Sequence, residues 1–185
     1  ANNVAIERGG RRLLSGLRLS VESGDIWQLV GANGVGKTSL LRALAGVAKL
    51  GVSGQIERDQ PRLYLGYAHA LKKNLSALDN LRCHPACDIH ASDEAIFSAL
   101  ASLHLAGYEE RPVGSLSAGQ QRRVALTRLL LSQAPLWLLD EPFTALDVSG
   151  CDWLDAQIRS HVSAGGAVVY TSHQSGRFGA LQQDI

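Results

Sequence analysis

The apolar residues of this chain occur either in short runs, which are typical of strands, or at helical spacing. Short apolar runs at Asn3–Glu7 and Leu13–Val21, separated by Gly9 and Gly10, predict a small antiparallel sheet at the N-terminus. Continuous apolar runs are typical of strands that are buried on both faces. Three such runs occur, at Ile26–Val30, Leu136–Leu139 and Ala167–Thr171.

Helical periodicity separates these strands. Helices are predicted at Ser39–Ala45, within Leu75–Leu105, at Ser117–Ser132 and at Asp152–Ser163, and two further strands at Gln55–Arg58 and Arg62–Gly66. Strands that alternate with helices favour an α/β fold with a mostly parallel sheet covered on both faces. We expect one domain over residues 1–185, with a helical lobe inserted at about 72–132.

A glycine-rich loop connects the strand at Ile26–Val30 to the following helix. Residues 31–38 read GANGVGKT, and the three glycines remove Cβ atoms that would keep the backbone from curling around an anion. We expect Lys37 to bridge the β- and γ-phosphates of ATP, and the Thr38 hydroxyl to bind Mg²⁺. The predicted ATP-binding residues of this loop are Gly31, Ala32, Asn33, Gly34, Val35, Gly36, Lys37, Thr38 and Ser39.

Two adjacent acids follow the apolar run Leu136–Leu139. Asp140 is therefore expected at the C-terminal end of a buried strand, where open α/β sheets bind ligands, and in a position to hold Mg²⁺. Glu141 is predicted to orient and deprotonate the water that attacks the γ-phosphate. Adjacent acids at a strand end are often a turn and a cap, but the phosphate loop upstream favours the catalytic interpretation.

Composition adds few constraints. The net charge is +1, and the basic residues are spread along the chain, which gives no reason to propose nucleic-acid binding. No apolar stretch approaches the roughly 18 residues that a membrane-spanning helix needs, and no export signal is present, so we expect a soluble cytoplasmic protein without a span of its own.

Three cysteines, an odd number, indicate reduced thiols. Cys83, His84, Cys87 and His90 cluster in sequence, but the Cys-x-x-x-Cys spacing is not that of a usual zinc site. We interpret the cluster as a polar surface segment, with a metal site as the alternative.

Together these motifs resemble the nucleotide-binding domain of ABC transporters. Residues 116–120 read LSAGQ, residues 136–141 read LWLLDE, residues 144–147 read TALD, and residues 171–174 read TSHQ, in the expected order after the phosphate loop. The LSAGQ segment at the start of a helix separates this family from other proteins that share the phosphate loop.

The resemblance implies a homodimer that forms around ATP. Ser117, Ala118, Gly119 and Gln120 would then face the ATP held by the partner subunit. His173 would contact the same γ-phosphate as a catalytic residue beside Glu141 and Lys37, and Asp147 would lie at the interface between the subunits.

A finer resemblance is to the ATP-binding subunit of the cytochrome c biogenesis, or haem exporter, transporters. It is carried by residues 64–81, 116–131 and 136–147. It implies an integral membrane permease as partner and a location on the inner face of the cell membrane. The alternatives are the ATPase subunit of another ABC exporter and a soluble ABC protein that serves no transporter.

Two positions depart from the pattern of ABC transporters. Ala68 stands where a glutamine usually senses Mg²⁺, and either His69 substitutes for it or water fills the gap. Arg8 stands where an aromatic residue usually stacks on adenine, and its guanidinium either stacks on the base or is a solvated turn residue.

Two further expectations concern the signature helix and the chain ends. Arg122 and Arg123 are expected on a solvated face of the helix, or else in contact with a partner. The sequence lacks an initiator methionine and ends soon after His173, so we expect a trimmed or partial chain.

Overall fold

The computed structural model describes residues 1–66, 69–85, 87, 90–172, 178 and 180–185. It divides into two compact units. The first comprises Ala1–Gly66, Pro135–Pro142 and Ile158–Ile185, and the second comprises Tyr67–Ala134 and Phe143–Gln157. In the described part of the chain, no helix has the length and apolar character needed to cross a membrane.

The first unit contains a three-stranded antiparallel sheet. Its strands are β1 (Asn2–Arg8), β2 (Arg11–Leu17) and β4 (Val52–Gln55), in the order β2-β1-β4. This confirms the antiparallel sheet that the sequence predicts at the N-terminus.

The same unit contains a five-stranded parallel sheet in the order β5-β6-β7-β3-β8. Its strands are β3 (Ile26–Val30), β5 (Arg62–Leu65), β6 (Leu136–Leu139), β7 (Ala167–Thr171) and β8 (Leu181–Asp184). The helix α1 (Lys37–Ala45) follows β3 and begins two residues before the predicted position, directly after Gly36. The predicted mostly parallel sheet is therefore confirmed.

The strand predicted at Gln55–Arg58 is wrong, because β4 lies at Val52–Gln55. Gly54 lies inside this strand with a φ of +92°. A Cβ at this position would overlap the carbonyl oxygen of Asn3, so glycine permits the close approach of β1 and β4.

The core of this unit is formed by apolar side chains from both sheets and α1. The buried members are Val4, Ile6, Leu17, Leu29, Leu40, Leu41, Ala43, Leu138 and Val169. These contacts attach the glycine-rich loop at both of its ends, since β3 and α1 each contribute to the core.

The second unit is mainly helical. Its helices are α2 (Ala77–Arg82), α3 (Asp93–Ala101), a short 3-10 helix (Val113–Ser115) and α4 (Ala118–Leu131), while α5 (Val148–Ser163) contributes residues to both units. Serine caps each of α2, α3 and α4 by accepting a hydrogen bond from the backbone three residues later. α4 was predicted at Ser117–Ser132 and is one residue shorter at each end, because Ser117 and Ser132 are its capping residues.

Candidate nucleotide site

The glycine-rich loop has the backbone conformation that its sequence requires. Gly31, Gly34 and Gly36 have φ values of +151°, +76° and +126°, in the region that side chains rarely adopt. A Cβ on Gly36 would also lie 3.2 Å from the Cβ of Leu13. Residues 31–36 thus lead directly into the N-terminus of α1, which favours anions.

Lys37 folds back over this loop. Its side chain is largely buried, and its ammonium group donates to the carbonyl oxygen of Gly31 at 2.6 Å and to that of Ala32 at 3.1 Å. The positive charge is therefore held against the loop and next to its backbone N–H groups, which is where phosphate groups would bind.

Thr38 and Asp140 are in direct contact, although they are far apart in sequence. The Thr38 hydroxyl donates to Oδ1 of Asp140 at 3.0 Å. Asp140 follows β6, is 1% exposed, and its Oδ2 atom has no hydrogen-bond partner among the described residues. Buried carboxylate oxygens without a partner are costly, so this atom is suited to a ligand.

The negative charge of Asp140 also affects the tyrosine on the neighbouring strand. The pKa of Tyr64 is raised to about 12, first by burial of its phenol and second by the charge of Asp140, against a smaller opposing effect of Arg42. Tyr64 therefore stays protonated at neutral pH and adds no second negative charge.

Glu141 lies directly after Asp140 in an uncommon backbone conformation, with a φ of +49°. Its backbone N–H donates to the hydroxyl of Thr171, the last residue of β7, at 2.7 Å. Thr171 in turn donates to Oδ1 of Asp140 at 2.9 Å. The sequence pattern indicates no role for Thr171, because a threonine at the end of an apolar run is typical of an ordinary strand.

Arg8 is the last residue of β1, and its side chain is exposed. It lies opposite Arg11 on β2, and the neighbouring residues Glu7 and Arg12 form an exposed ion pair at 3.0 Å. An exposed guanidinium is compatible both with stacking on a base and with solvation.

In the second unit, the LSAGQ segment forms the start of α4. The Ser117 hydroxyl accepts from the backbone N–H of Gln120 at 3.2 Å, and the side-chain oxygen of Gln120 accepts from the backbone N–H of Ser117 at 2.9 Å. This is a complete capping box. Because Oγ of Ser117 is an acceptor here, its own proton remains available to a ligand; Ala118 and Gly119 form the first turn.

Asp147 lies before α5 and is bonded within its own unit. Its Oδ1 atom accepts from the backbone N–H of Gly150 at 2.9 Å, and its Oδ2 atom accepts from Arg123 at 2.7 Å. The hydrogen bond from Gly150 is the main cause of the lowered pKa of Asp147, followed by the bond from Arg123. Arg123, which was expected on a solvated face of the helix, therefore forms an ion pair with the exposed side chain of Asp147.

His69 is held by two arginines of α4. Nη1 of Arg122 lies 3.0 Å from Nδ1 of His69, and since a guanidinium only donates, Nδ1 is the acceptor. Arg128 donates to the carbonyl oxygens of His69 at 2.6 Å and of Ala70 at 3.0 Å. Arg122 is 2% exposed, so its expected position on a solvated helix face is wrong: its side chain is used to hold this turn.

Burial, and then the charges of Arg122 and Arg128, lower the pKa of His69 to about 4. His69 is consequently neutral at pH 7, and the lone pair on Nδ1 is engaged by Arg122. Ala68 and the predicted catalytic residue His173 lie outside the described residues.

The interpretation of the cysteine segment as a polar surface is wrong for Cys87, which is 6% exposed. Burial raises the pKa of its thiol to about 11, so Cys87 is protonated at neutral pH and is a poor metal ligand. Within the described ranges, no group of three or more histidine, cysteine or acidic side chains is arranged to hold a metal ion.

The chain matches known proteins over most of its length. The family model described as ABC transporter matches residues 14–144. Proteins named cytochrome c biogenesis ATP-binding export protein CcmA are similar: that of Tatumella citrea is 48% identical over 94% of this chain and 88% of its own length, and that of Pseudomonas savastanoi pv. phaseolicola is 45% identical over 100% and 92%.

A solved structure of a putative ABC transporter ATP-binding protein from Pyrococcus furiosus shares the fold, with a TM-score of 0.81 over 99% of this chain and 94% of that chain, at 22% identity. The sequence relatives and the family model carry the assignment beyond the fold. This chain belongs to the ABC transporter family, as an ATP-binding subunit similar to the CcmA proteins of cytochrome c biogenesis.

Proposed function

We propose that this chain hydrolyses ATP as one of two identical subunits that close around nucleotide and drive a membrane permease in cytochrome c biogenesis. The observation that carries this proposal is the contact of Thr38 with Asp140 at the end of the phosphate loop, directly before Glu141. This contact supports a site in which the loop would bind phosphate, Thr38 and Asp140 would bind a cation, and Glu141 would act as the base.

Mg²⁺ fits the donor set of this site. The Thr38 hydroxyl and the unpartnered Oδ2 atom of Asp140 are hard oxygen ligands, and they would hold the ion directly or through water. When bound with ATP, Mg²⁺ neutralises charge on the β- and γ-phosphates. Lys37 contributes a second positive charge from the loop, and the backbone N–H groups of residues 31–38 orient the phosphates.

Glu141 is the proposed base. Its carboxylate follows the cation ligand Asp140 by one residue, and it would accept a proton from the water that attacks the γ-phosphate. His173 is proposed to contact that phosphate from the segment after β7.

Ser117, Ala118, Gly119 and Gln120 are proposed to complete the site of the partner subunit. The capping box leaves the Ser117 proton free to donate, and the N-terminus of α4 favours a negative charge. Asp147 is proposed to lie at the same interface. Because the attraction then runs through ATP, the subunit is expected to be a monomer without nucleotide.

Glu141→Gln tests the enzymatic part of the proposal. The variant should bind ATP but lose hydrolysis by about 10²- to 10⁴-fold, the usual contribution of a general base. Glu110→Gln, which changes an exposed acid of the second unit, is the matched control and should keep the wild-type rate. A wild-type rate for Glu141→Gln would remove the assignment of the base.

The transport part is tested by co-purification of the tagged full-length protein from native membranes. A polytopic permease together with cytochrome c assembly proteins, and haem in the complex, would support the proposal and a peripheral position on the inner face of the cell membrane. An unrelated permease would leave the ATPase and reject cytochrome c biogenesis. Ribosomes or DNA instead of a permease would reject transport.

A further inference from the structure

Thr171 contacts both acids of the candidate site with a single hydroxyl group. It is the last residue of β7 and has 0% exposure. Its Oγ1 atom lies 2.7 Å from the backbone nitrogen of Glu141 and 2.9 Å from Oδ1 of Asp140.

The direction of both hydrogen bonds follows from the chemistry of the groups. A backbone N–H can only donate, so Oγ1 of Thr171 accepts from Glu141, and the hydroxyl proton of Thr171 is directed at Asp140. The same carboxylate oxygen also accepts from the Thr38 hydroxyl at 3.0 Å. Two hydroxyl protons therefore fix Oδ1, and the carboxylate is oriented with the other oxygen, Oδ2, left for a cation.

The position of Thr171 in the sheet explains why the hydroxyl reaches both groups. The parallel register pairs Leu139 with Tyr170, so Thr171 lies beside Asp140 at the point where β6 ends. Beyond this point Glu141 turns away with a positive φ, and its N–H is bonded to the Thr171 side chain. A conformation that non-glycine residues seldom adopt needs such an anchor.

We propose that Thr171 is a positioning residue for ATP hydrolysis, whose hydroxyl holds the Asp140 carboxylate toward the cation and the Glu141 backbone toward the attacking water. This inference rests on the proposed function of the site. It assigns to Thr171 no contact with ATP itself.

The test compares Thr171→Val with Thr171→Ser. Valine has nearly the same shape but removes both hydrogen bonds, whereas serine keeps the hydroxyl. We expect Thr171→Val to lower kcat about 10-fold or more, with little change in the KM for ATP, because one lost hydrogen bond to a charged group is worth roughly this factor. Thr171→Ser should restore most of the rate.

A binding measurement provides a readout that does not depend on turnover. In the Glu141→Gln background, the Kd of a fluorescent ATP analogue is measured with and without Mg²⁺. Thr171→Val should reduce the gain in affinity that Mg²⁺ provides by several-fold, while affinity without Mg²⁺ stays the same. Thr171→Ser should keep that gain.

Thr127→Val is the matched control. Thr127 is also 0% exposed, and its hydroxyl donates to the backbone oxygen of Arg123 within α4. The same chemical change there should leave kcat and the effect of Mg²⁺ on affinity unchanged, whatever it does to thermal stability.

The outcomes separate this inference from the proposed function. If Glu141→Gln abolishes hydrolysis while Thr171→Val retains both the wild-type kcat and the wild-type effect of Mg²⁺, Thr171 is only a structural residue and the inference is rejected. If Glu141→Gln itself retains hydrolysis, the proposed function fails first. A Thr171→Ser variant as defective as Thr171→Val would also contradict a role for the hydroxyl.

Discussion

Ser117 has two separable properties, and substitutions can remove one without the other. As the N-cap of α4, it needs only an oxygen that accepts from the backbone N–H of Gln120. As a proposed ligand of the partner's ATP, it needs a neutral group with a proton to donate. Ser117→Asp keeps the acceptor and replaces the proton with a negative charge, whereas Ser117→Ala removes both.

The cap sets the effect on stability. Replacing an N-cap serine by alanine costs about 1 kcal/mol, and for a chain of this size that lowers Tm by roughly 2–4 °C. Aspartate caps about as well as serine, and its charge interacts favourably with the helix N-terminus. Ser117→Asp should therefore melt within about 1 °C of the wild type in the absence of nucleotide.

The proposed contact with the partner's ATP determines how Ser117→Asp changes the association of the two subunits. A carboxylate about 4 Å from a phosphate charge is repelled by about 4 kcal/mol at an effective dielectric constant of 20. That energy weakens association by about 10³-fold per site. In the Glu141→Gln background, which should accumulate the ATP-bound dimer, Ser117→Asp is expected to remain a monomer by light scattering.

Ser92 provides the matched control, because it caps α3 in the same way by accepting from the backbone N–H of Ala95 at 3.2 Å. Ser92→Ala should lose as much stability as Ser117→Ala but should still dimerise with ATP. An ATP-dependent dimer of Ser117→Asp would refute the proposed contact with the partner's ATP. A loss of Tm equal to that of Ser117→Ala would refute the reasoning about the cap.

Three other expected outcomes rest on backbone conformation, on protonation and on the turn that follows β5. Gly54→Ala should destabilise the chain by more than about 3 kcal/mol in urea unfolding, because the new Cβ would overlap the backbone of β1 and alanine would have to adopt a positive φ. Gly24 is the control: it has a similar φ but open space around it, so Gly24→Ala should cost only about 1–2 kcal/mol. Because the pKa of His69 is lower in the folded chain than in the unfolded chain, the unfolded chain binds a proton at this residue first as the pH falls. The contribution of neutral His69 to stability is therefore complete above about pH 6.5 and is lost as the pH falls toward 4. Thermal unfolding from pH 7 to pH 5 should therefore show a smaller loss of Tm for His69→Gln than for the wild type. Arg128→Lys should lower Tm and protection of the turn from hydrogen exchange, because an ammonium group does not reproduce the paired hydrogen bonds to the carbonyl oxygens of His69 and Ala70; unchanged protection would contradict this account.

Elements whose sequence pattern reflects burial could be predicted closely. The strands Ile26–Val30, Leu136–Leu139 and Ala167–Thr171 have the predicted bounds, because buried parallel strands read as continuous apolar runs. The strand β8, at Leu181–Asp184, was not predicted. Its sequence LQQD has no apolar period, and it is a strand because it pairs with β3.

Some features of the candidate site could likewise be predicted from the sequence, and others could not. The phosphate loop and the adjacent acids are contiguous in sequence, so their chemistry could be inferred locally. The role of Thr171 depends on a contact across 31 residues, and that of Arg128 on a contact across 59 residues. Neither residue type is unusual in its own element, which is why only the folded chain reveals these contacts.

α4 connects several features of the second unit that the sequence presents separately. Ser117 caps its start, Arg123 pairs with Asp147, and Arg128 holds the turn at His69 and Ala70. Arg128 is 1% exposed, and no carboxylate among the described residues pairs with it, so its burial is offset by hydrogen bonds to those two carbonyl oxygens. Since both residues of the turn have positive φ, the arginine and the turn stabilise each other. A movement of α4 would consequently displace Ser117, Asp147 and His69 together.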